Sequence, residues 1–160
     1  MGVRVIVKNP DPILREKTIE VKNFNANLHK LLDDMAETMY QADGVGLAAP
    51  QVGISKRVAV IDAGSEHGLI ELVNPVIVSK SGEQLGPEGC LSFPGLVGDV
   101  RRAQTCKVEA FDRHGEKFEV EGEDLLARAL QHEIDHLNGV LFVDFVERYY
   151  ESESEDEAGK

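Results

Sequence analysis

Apolar residues recur along this chain with two different periods. Across residues 25–41, Leu28, Leu31, Leu32, Met35 and Met39 fall at i, i+3, i+4, i+7 and i+11, the stripe of an amphipathic helix. Asn25 is placed to cap its first turn and Asp43-Gly44 to end its last. A second helical stretch starts at Glu123 or Asp124, runs to Asn138 and stops at Gly139. Elsewhere the period is two. Residues 58–61 and 69–78 read as strands, the latter broken at Asn74-Pro75. Residues 107–111 and 117–120 alternate on either side of Arg113-His114-Gly115-Glu116, which predicts a hairpin. The opening, residues 3–7, alternates weakly and reads as a short strand that Pro10 and Pro12 cut off. Short strands in the middle, a helix near the end and no βαβ alternation predict an α+β fold.

The second helix carries metal-binding chemistry. Gln131-His132-Glu133-Ile134-Asp135-His136 contains His-Glu-x-x-His, and histidines four apart on a helix point the same way, so both imidazoles can reach one ion. At roughly 100° per residue, Leu125, Ala129, His132 and His136 fall within about 60° of arc. Leu126, Leu130, Ile134 and Leu137 form the adjoining apolar stripe, Glu133 sits between the two groups, and Arg128, Gln131 and Asp135 take the opposite, polar side. The histidines therefore face inward. A buried pair beside a carboxylate needs a partner, and a metal supplies one; two satisfied core histidines, or a purely structural ion, are the competing readings.

A third ligand has to come from elsewhere. The extended protease pattern His-Glu-x-x-His-x-x-Gly-x-x-His fails, because Gly139 fits but position 142 is Phe. Cys90 stands out instead: Pro87-Glu88-Gly89-Cys90-Leu91-Ser92-Phe93-Pro94-Gly95 reads as a shaped loop from which a thiolate can face a pocket. Cys106 lies in an alternating strand and reads as ordinary filling, while His29, His67 and His114 fall at surface positions. Two His and one Cys leave a fourth position open for water, the arrangement of a catalytic site. The segment Gly44-Val45-Gly46-Leu47-Ala48-Ala49 matches the G-x-G-x-x-G/A dinucleotide fingerprint. A helix precedes it and Pro50 follows it, where a strand and then a helix are required, so dinucleotide binding is set aside. What its glycines allow is close approach of exposed backbone to a ligand.

Composition narrows the class. The 160 residues, 42% apolar and 29% charged, suit one ordered domain over residues 1–150. With 17 basic and 29 acidic side chains the net charge is −12; the last ten residues hold five acids and one lysine, which leaves −8 on the first 150. Such a surface repels phosphate backbones, so direct nucleic-acid binding is not expected. Residues 151–160 read as an acidic, solvated, disordered tail. No apolar run approaches the ~20 residues of a membrane helix, and Arg4, Lys8 and Asp11 interrupt any secretory signal, so a soluble, cytoplasmic protein is expected. Two cysteines are too few for a disulfide scaffold.

Three segments in order, Gly44-Val45-Gly46-Leu47-Ala48-Ala49-Pro50-Gln51, Glu88-Gly89-Cys90-Leu91-Ser92 and Gln131-His132-Glu133-Ile134-Asp135-His136, together resemble the peptide deformylase family. The resemblance covers nearly the whole domain, from Val5 to about Val146. It implies mainly antiparallel β-sheets surrounding a central metal-bearing helix. It implies metal ligands at Cys90, His132 and His136, with Glu133 as general acid–base. Gln51 and the Leu91 backbone N–H correspond to the family's oxyanion donors, and Gly46 and Gly89 to the backbone that holds an extended peptide. The implied ion is Fe(II), which is oxygen-sensitive, with Zn(II), Ni(II) or Co(II) able to take its place. The implied reaction is attack of metal-bound water on the formyl carbon of an N-formylmethionyl nascent peptide, releasing formate. Leu125 and Ala129, beside the histidines, are candidates for the apolar wall around the Met side chain. Many bacterial members carry a long basic C-terminal helix associated with ribosome docking; the acidic end here implies weak or transient ribosome contact. A zinc endopeptidase would share His132, Glu133 and His136 without needing Cys90 or Gln51, and a non-catalytic metal-binding module would hold its ion without an open position.

Overall fold

The computed structural model of the chain describes residues 2–150. The acidic tail expected at 151–160 lies outside the described residues. Helix α1, Ala26–Gln41, starts where the Asn25 side chain accepts the Leu28 N–H at 3.1 Å. It ends where Asp43 turns to a φ of 57° and the Gly44 N–H returns to the Met39 carbonyl at 2.9 Å. Helix α2, Asp124–Leu137, is followed by Asn138 and by Gly139 at φ 74°. A Cβ on Gly139 would lie 2.4 Å from the Arg15 carbonyl oxygen, so glycine serves both the turn and a close approach there.

Among the described residues, eight strands accompany the helices: β1 Gly46–Ala48, β2 Val58–Ile61, β3 Ile70–Ser81, β4 Gln84–Cys90, β5 Phe93–Arg102, β6 Thr105–Phe111, β7 Lys117–Glu123 and β8 Arg148–Tyr149. They pair antiparallel in two sheets, ordered β1-β2-β3-β6-β7 and β4-β5-β8. Strand alternation explains how the larger sheet holds a helix on each face. Val58, Val60 and Val73 turn toward the Leu28, Leu31, Met35 and Met39 stripe of α1. Ile61 and Leu72, one residue out of phase, turn toward Leu126, Leu130 and Ile134 of α2. The smaller sheet approaches α2 from the other side and packs Phe93 and Val100 on Leu14, Leu141 and Phe142.

The strand expected at residues 3–7 does not form. That segment runs along α1 instead: the Arg4 N–H donates to Thr38 Oγ1 at 2.9 Å, and its guanidinium pairs with Asp34 at 2.8 Å. Asn74 does break β3, at φ 51° and with a register shift, because its side chain is spent on both backbone groups of Val21. The hairpin of β6 and β7 is present and extends past the alternation at its open end, by two residues in β6 and three in β7. The stretch 87–95 is not a free loop. It is the tip of a β4–β5 hairpin whose glycines and prolines hid both strands; Pro87 lies on the edge strand β4, and Pro94 falls where the register slips between Phe93 and Val97. The polar side of α2 is not solvated either, since the smaller sheet covers it and buries Arg128 and Gln131.

Candidate active site

Helix α2 presents its two histidines with ring centres 5.0 Å apart. Cys90 closes the β4–β5 hairpin where the register slips: Gly89 pairs with Val97, but Cys90 pairs with Phe93. Its Sγ lies 3.3 Å from His136 Nε2. The ligand atoms of Cys90, His132 and His136 all lie within 4.8 Å of one another. Donors about 2.0–2.3 Å from a shared ion at tetrahedral angles stand roughly 3.3–3.6 Å apart, so the closest pair already has the spacing of a ligand set. Among the described residues, Glu133 Oε1 and His136 Nδ1 are buried without a hydrogen-bond partner. Unpaired buried polar atoms beside three soft and borderline donors fit a site built around an ion and its water.

A carboxylate that the sequence reading passed over organises this site. Glu88 Oε2 lies 2.6 Å from His132 Nδ1; with the proton on Nδ1, the Nε2 lone pair is left for an ion. Arg102 donates to both oxygens of Glu88, at 3.1 and 2.6 Å, and Arg128 donates to Oε1 at 2.9 Å. Arg102 also pairs with Asp135 at 2.6 Å. Burial works against the Glu88 charge, but the bonds from His132 and Arg102 prevail and hold it well below the usual carboxylate range. One signal was available in the sequence: Glu88 is the lone charge across residues 86–98, in a stretch otherwise apolar, Gly, Pro and Ser.

Glu133 stands beside β1, its Oε2 3.9 Å from His132 Nε2. Burial, reinforced by the nearby negative charge of Glu88, pushes its carboxyl up to about 7 despite His132. Burial also presses His136 well below the usual imidazole value, with His132 adding to the effect. Burial lowers His132 too, but the charges and bonds of Glu133, Cys90 and Glu88 outweigh it and raise that group. Gln51, in the 3₁₀ turn after β1, is fully buried. Its Oε1 accepts the Ala48 N–H at 2.9 Å, and its Nε2 donates to Ser92 Oγ at 3.2 Å and Cys90 Sγ at 3.5 Å.

These groups line one cavity of about 410 Å³. Gly46, Gln51, Gly89, Cys90, Leu91, Leu125, Ala129, His132 and Glu133 all border it, so the structure brings every residue singled out in the sequence except His136 to its wall. His136 lies just behind, bonded to Cys90. Leu125 is 49% exposed and forms part of the rim, whereas Ala129 is buried deeper. Strands β1 and β4 are edges of their two sheets, and both flank the opening.

The sequence profile described as polypeptide deformylase matches residues 3–151. The chain belongs to the polypeptide deformylase family. It is 61% identical to peptide deformylase 1 of Bacillus anthracis over 151 residues, 94% of this chain and 97% of that one. The crystal structure of a peptide deformylase from Legionella pneumophila superposes with a TM-score of 0.87 at 52% identity, over 90% of this chain and 86% of that one. The enzyme from Thermotoga maritima gives 0.88 at 44% identity, over 91% and 99%. The α+β fold read from the sequence is the fold of these neighbours.

Proposed function

We propose that Cys90, His132 and His136 hold one divalent ion, and that Glu133 moves the proton, in the reaction of this family. That reaction is metal-dependent hydrolysis of the formyl group from the N-terminal methionine of newly made polypeptides. The observation that carries the assignment is the meeting of three ligand atoms within 4.8 Å beside a buried carboxylate oxygen that has no partner. When bound, the ion supplies Lewis acidity, which acidifies a water molecule and polarises the formyl carbonyl.

The chain's own groups do the rest. Glu133, with its carboxyl near neutrality, takes the proton of the attacking water and later returns it to the departing amine. One N–H of the Gln51 amide is held by Ser92; the other makes only the long contact to Cys90 Sγ, which it can exchange for the oxyanion developing on the formyl carbon. The Leu91 backbone N–H is the second donor. Gly46 and Gly89, on the two edge strands, hold the peptide extended, and Leu125 and Ala129 wall the Met side chain. Glu88 fixes the orientation of His132.

Fe(II) is the native ion in this reading, with Zn(II), Ni(II) or Co(II) as substitutes; a Cys–His₂ set takes all four, and affinity alone favours Zn(II) over Fe(II). No helix among the described residues is long and apolar enough to cross a membrane. A cytoplasmic location belongs to this reading, and weak, transient ribosome contact is expected from the charge of −12. The test is formate release from formyl-Met-Ala-Ser by protein purified without oxygen and loaded with Fe(II). Release is expected to fall about 10²–10⁴-fold in Glu133→Ala. No release from wild type with metal bound, or casein cleavage without formate, would overturn the assignment.

A further inference from the structure

The helix pattern puts Arg128 on the polar side of α2, away from the histidines. It is instead 6% exposed, and it borders the substrate cavity. Its NH1 donates to Glu88 Oε1 at 2.9 Å and to the Val100 carbonyl at 3.0 Å. Of the two arginines on Glu88, Arg102 lies on the far side against Asp135, and Arg128 lies on the cavity side. One guanidinium therefore joins three things: the pocket wall, the backbone of β5, and the carboxylate that orients His132. Arg102 grips both Glu88 oxygens from the far side, at 3.1 and 2.6 Å, and Arg128 adds a second hold on Oε1 from the cavity side. Arg128 NH1, anchored on the Val100 carbonyl, holds Glu88 Oε1 from the pocket wall, while Oε2, shared with Arg102, faces His132 Nδ1.

We propose that Arg128 is a positioning residue for the metal ligand His132, acting through Glu88 from the wall of the substrate pocket. The inference rests on the ligand set of Cys90, His132 and His136 proposed above. It carries a sign that a simple charge effect cannot imitate. Arg128 is a cation near a dication site, so removing it would tighten metal binding if only Coulomb repulsion mattered. If Arg128 holds Glu88, and Glu88 holds His132, removing it weakens binding, by the roughly 10–100-fold typical of lost partners behind a ligand.

The experiment is competition for Zn(II) between the metal-free full chain and a chromophoric chelator at fixed pH. Arg128→Met keeps an unbranched stem of similar length but no donors. Its Zn(II) affinity is expected to fall about 10–100-fold. Arg128→Lys keeps the charge but loses the planar guanidinium that spans Glu88, Val100 and Gln84, and a smaller fall is expected. Because Arg128 acts through Glu88, the double variant Glu88→Gln/Arg128→Met should bind Zn(II) within about threefold of Glu88→Gln alone. Unchanged or tighter binding in Arg128→Met overturns the proposal, and so does a full multiplicative loss in the double variant. Should Arg128→Met fail to fold by circular dichroism, Arg128→Lys decides: wild-type affinity overturns the proposal and weaker binding supports it. Failure of the underlying ligand assignment looks different. Wild type would take up no Zn(II), or Cys90→Ser would bind it as tightly as wild type.

Discussion

Replacing Gly46 by alanine adds one methyl group where Glu133 already stands. A Cβ at that position would lie 2.5 Å from Glu133 Oε2, 2.9 Å from Cγ and 3.0 Å from Cδ. Gly46 is not at positive φ and stays in register with Ile61 in β1, so the alanine backbone is unstrained and the clash is the whole effect. Three atoms of Glu133 are too close for its tip alone to swing aside, so the carboxylate as a unit must shift. Misplacing a catalytic group by about 1 Å costs on the order of 10²-fold, and losing the acid–base altogether costs about 10²–10⁴-fold. kcat for formate release is therefore expected to fall at least ~100-fold in Gly46→Ala, but no further than in Glu133→Ala. Overpacking should cost about 1–3 kcal/mol of stability, not the fold. The assay is formate release at matched metal content for both single variants and their double. If the methyl acts only through Glu133, the double variant is no slower than Glu133→Ala. A Gly46→Ala enzyme within twofold of wild-type kcat would refute the reasoning, as would a double variant slowed by a further hundredfold.

Other outcomes follow from the same geometry. Glu133 in the metal-free protein has its carboxyl raised from 4.5 to about 7, chiefly by burial, so its contribution to stability is full below 4.5 and is lost as pH rises through 7. Glu133→Gln stays neutral throughout, so after EDTA treatment it should melt above wild type at pH 8.5 and by much less at pH 5.5; equal gains at both would contradict the burial account. Leu125→Arg, at the exposed rim, should raise KM for formyl-Met peptides about 5–30-fold with kcat nearly unchanged, and an unaltered KM would remove Leu125 from the wall of the pocket. With 29 acids against 17 basic side chains, the chain should sediment only weakly with ribosomes, and tight, salt-sensitive co-sedimentation would show that a local surface overrides the net charge.

Local patterns were enough for the two helices, their ends, and β2, β3, β6 and β7, because a period of 3.6 or 2 and a capping residue are written in consecutive positions. The same holds for His132 and His136, whose common direction follows from helical spacing alone. Cys90 could be singled out for its setting, and three ordered segments pointed to the family. Three features could only come from the assembled fold. Strands β4 and β5 were invisible because their glycines and prolines carry no alternation, and their mutual pairing and the packing of Phe93 and Val100 hold them. Arg128 and Gln131 read only as the polar side because a helix pattern records one buried face, whereas α2 lies between two sheets. Glu88 gained its role because chain reversal set it against His132, Arg102 and Arg128, residues 14 to 44 positions away. Sequence thus singled out most of the side chains that meet at the candidate site, since side-chain type and short spacing are local properties. Tertiary structure decided which charges are buried and paired, because desolvation depends on what covers a residue and not on its neighbours in the chain.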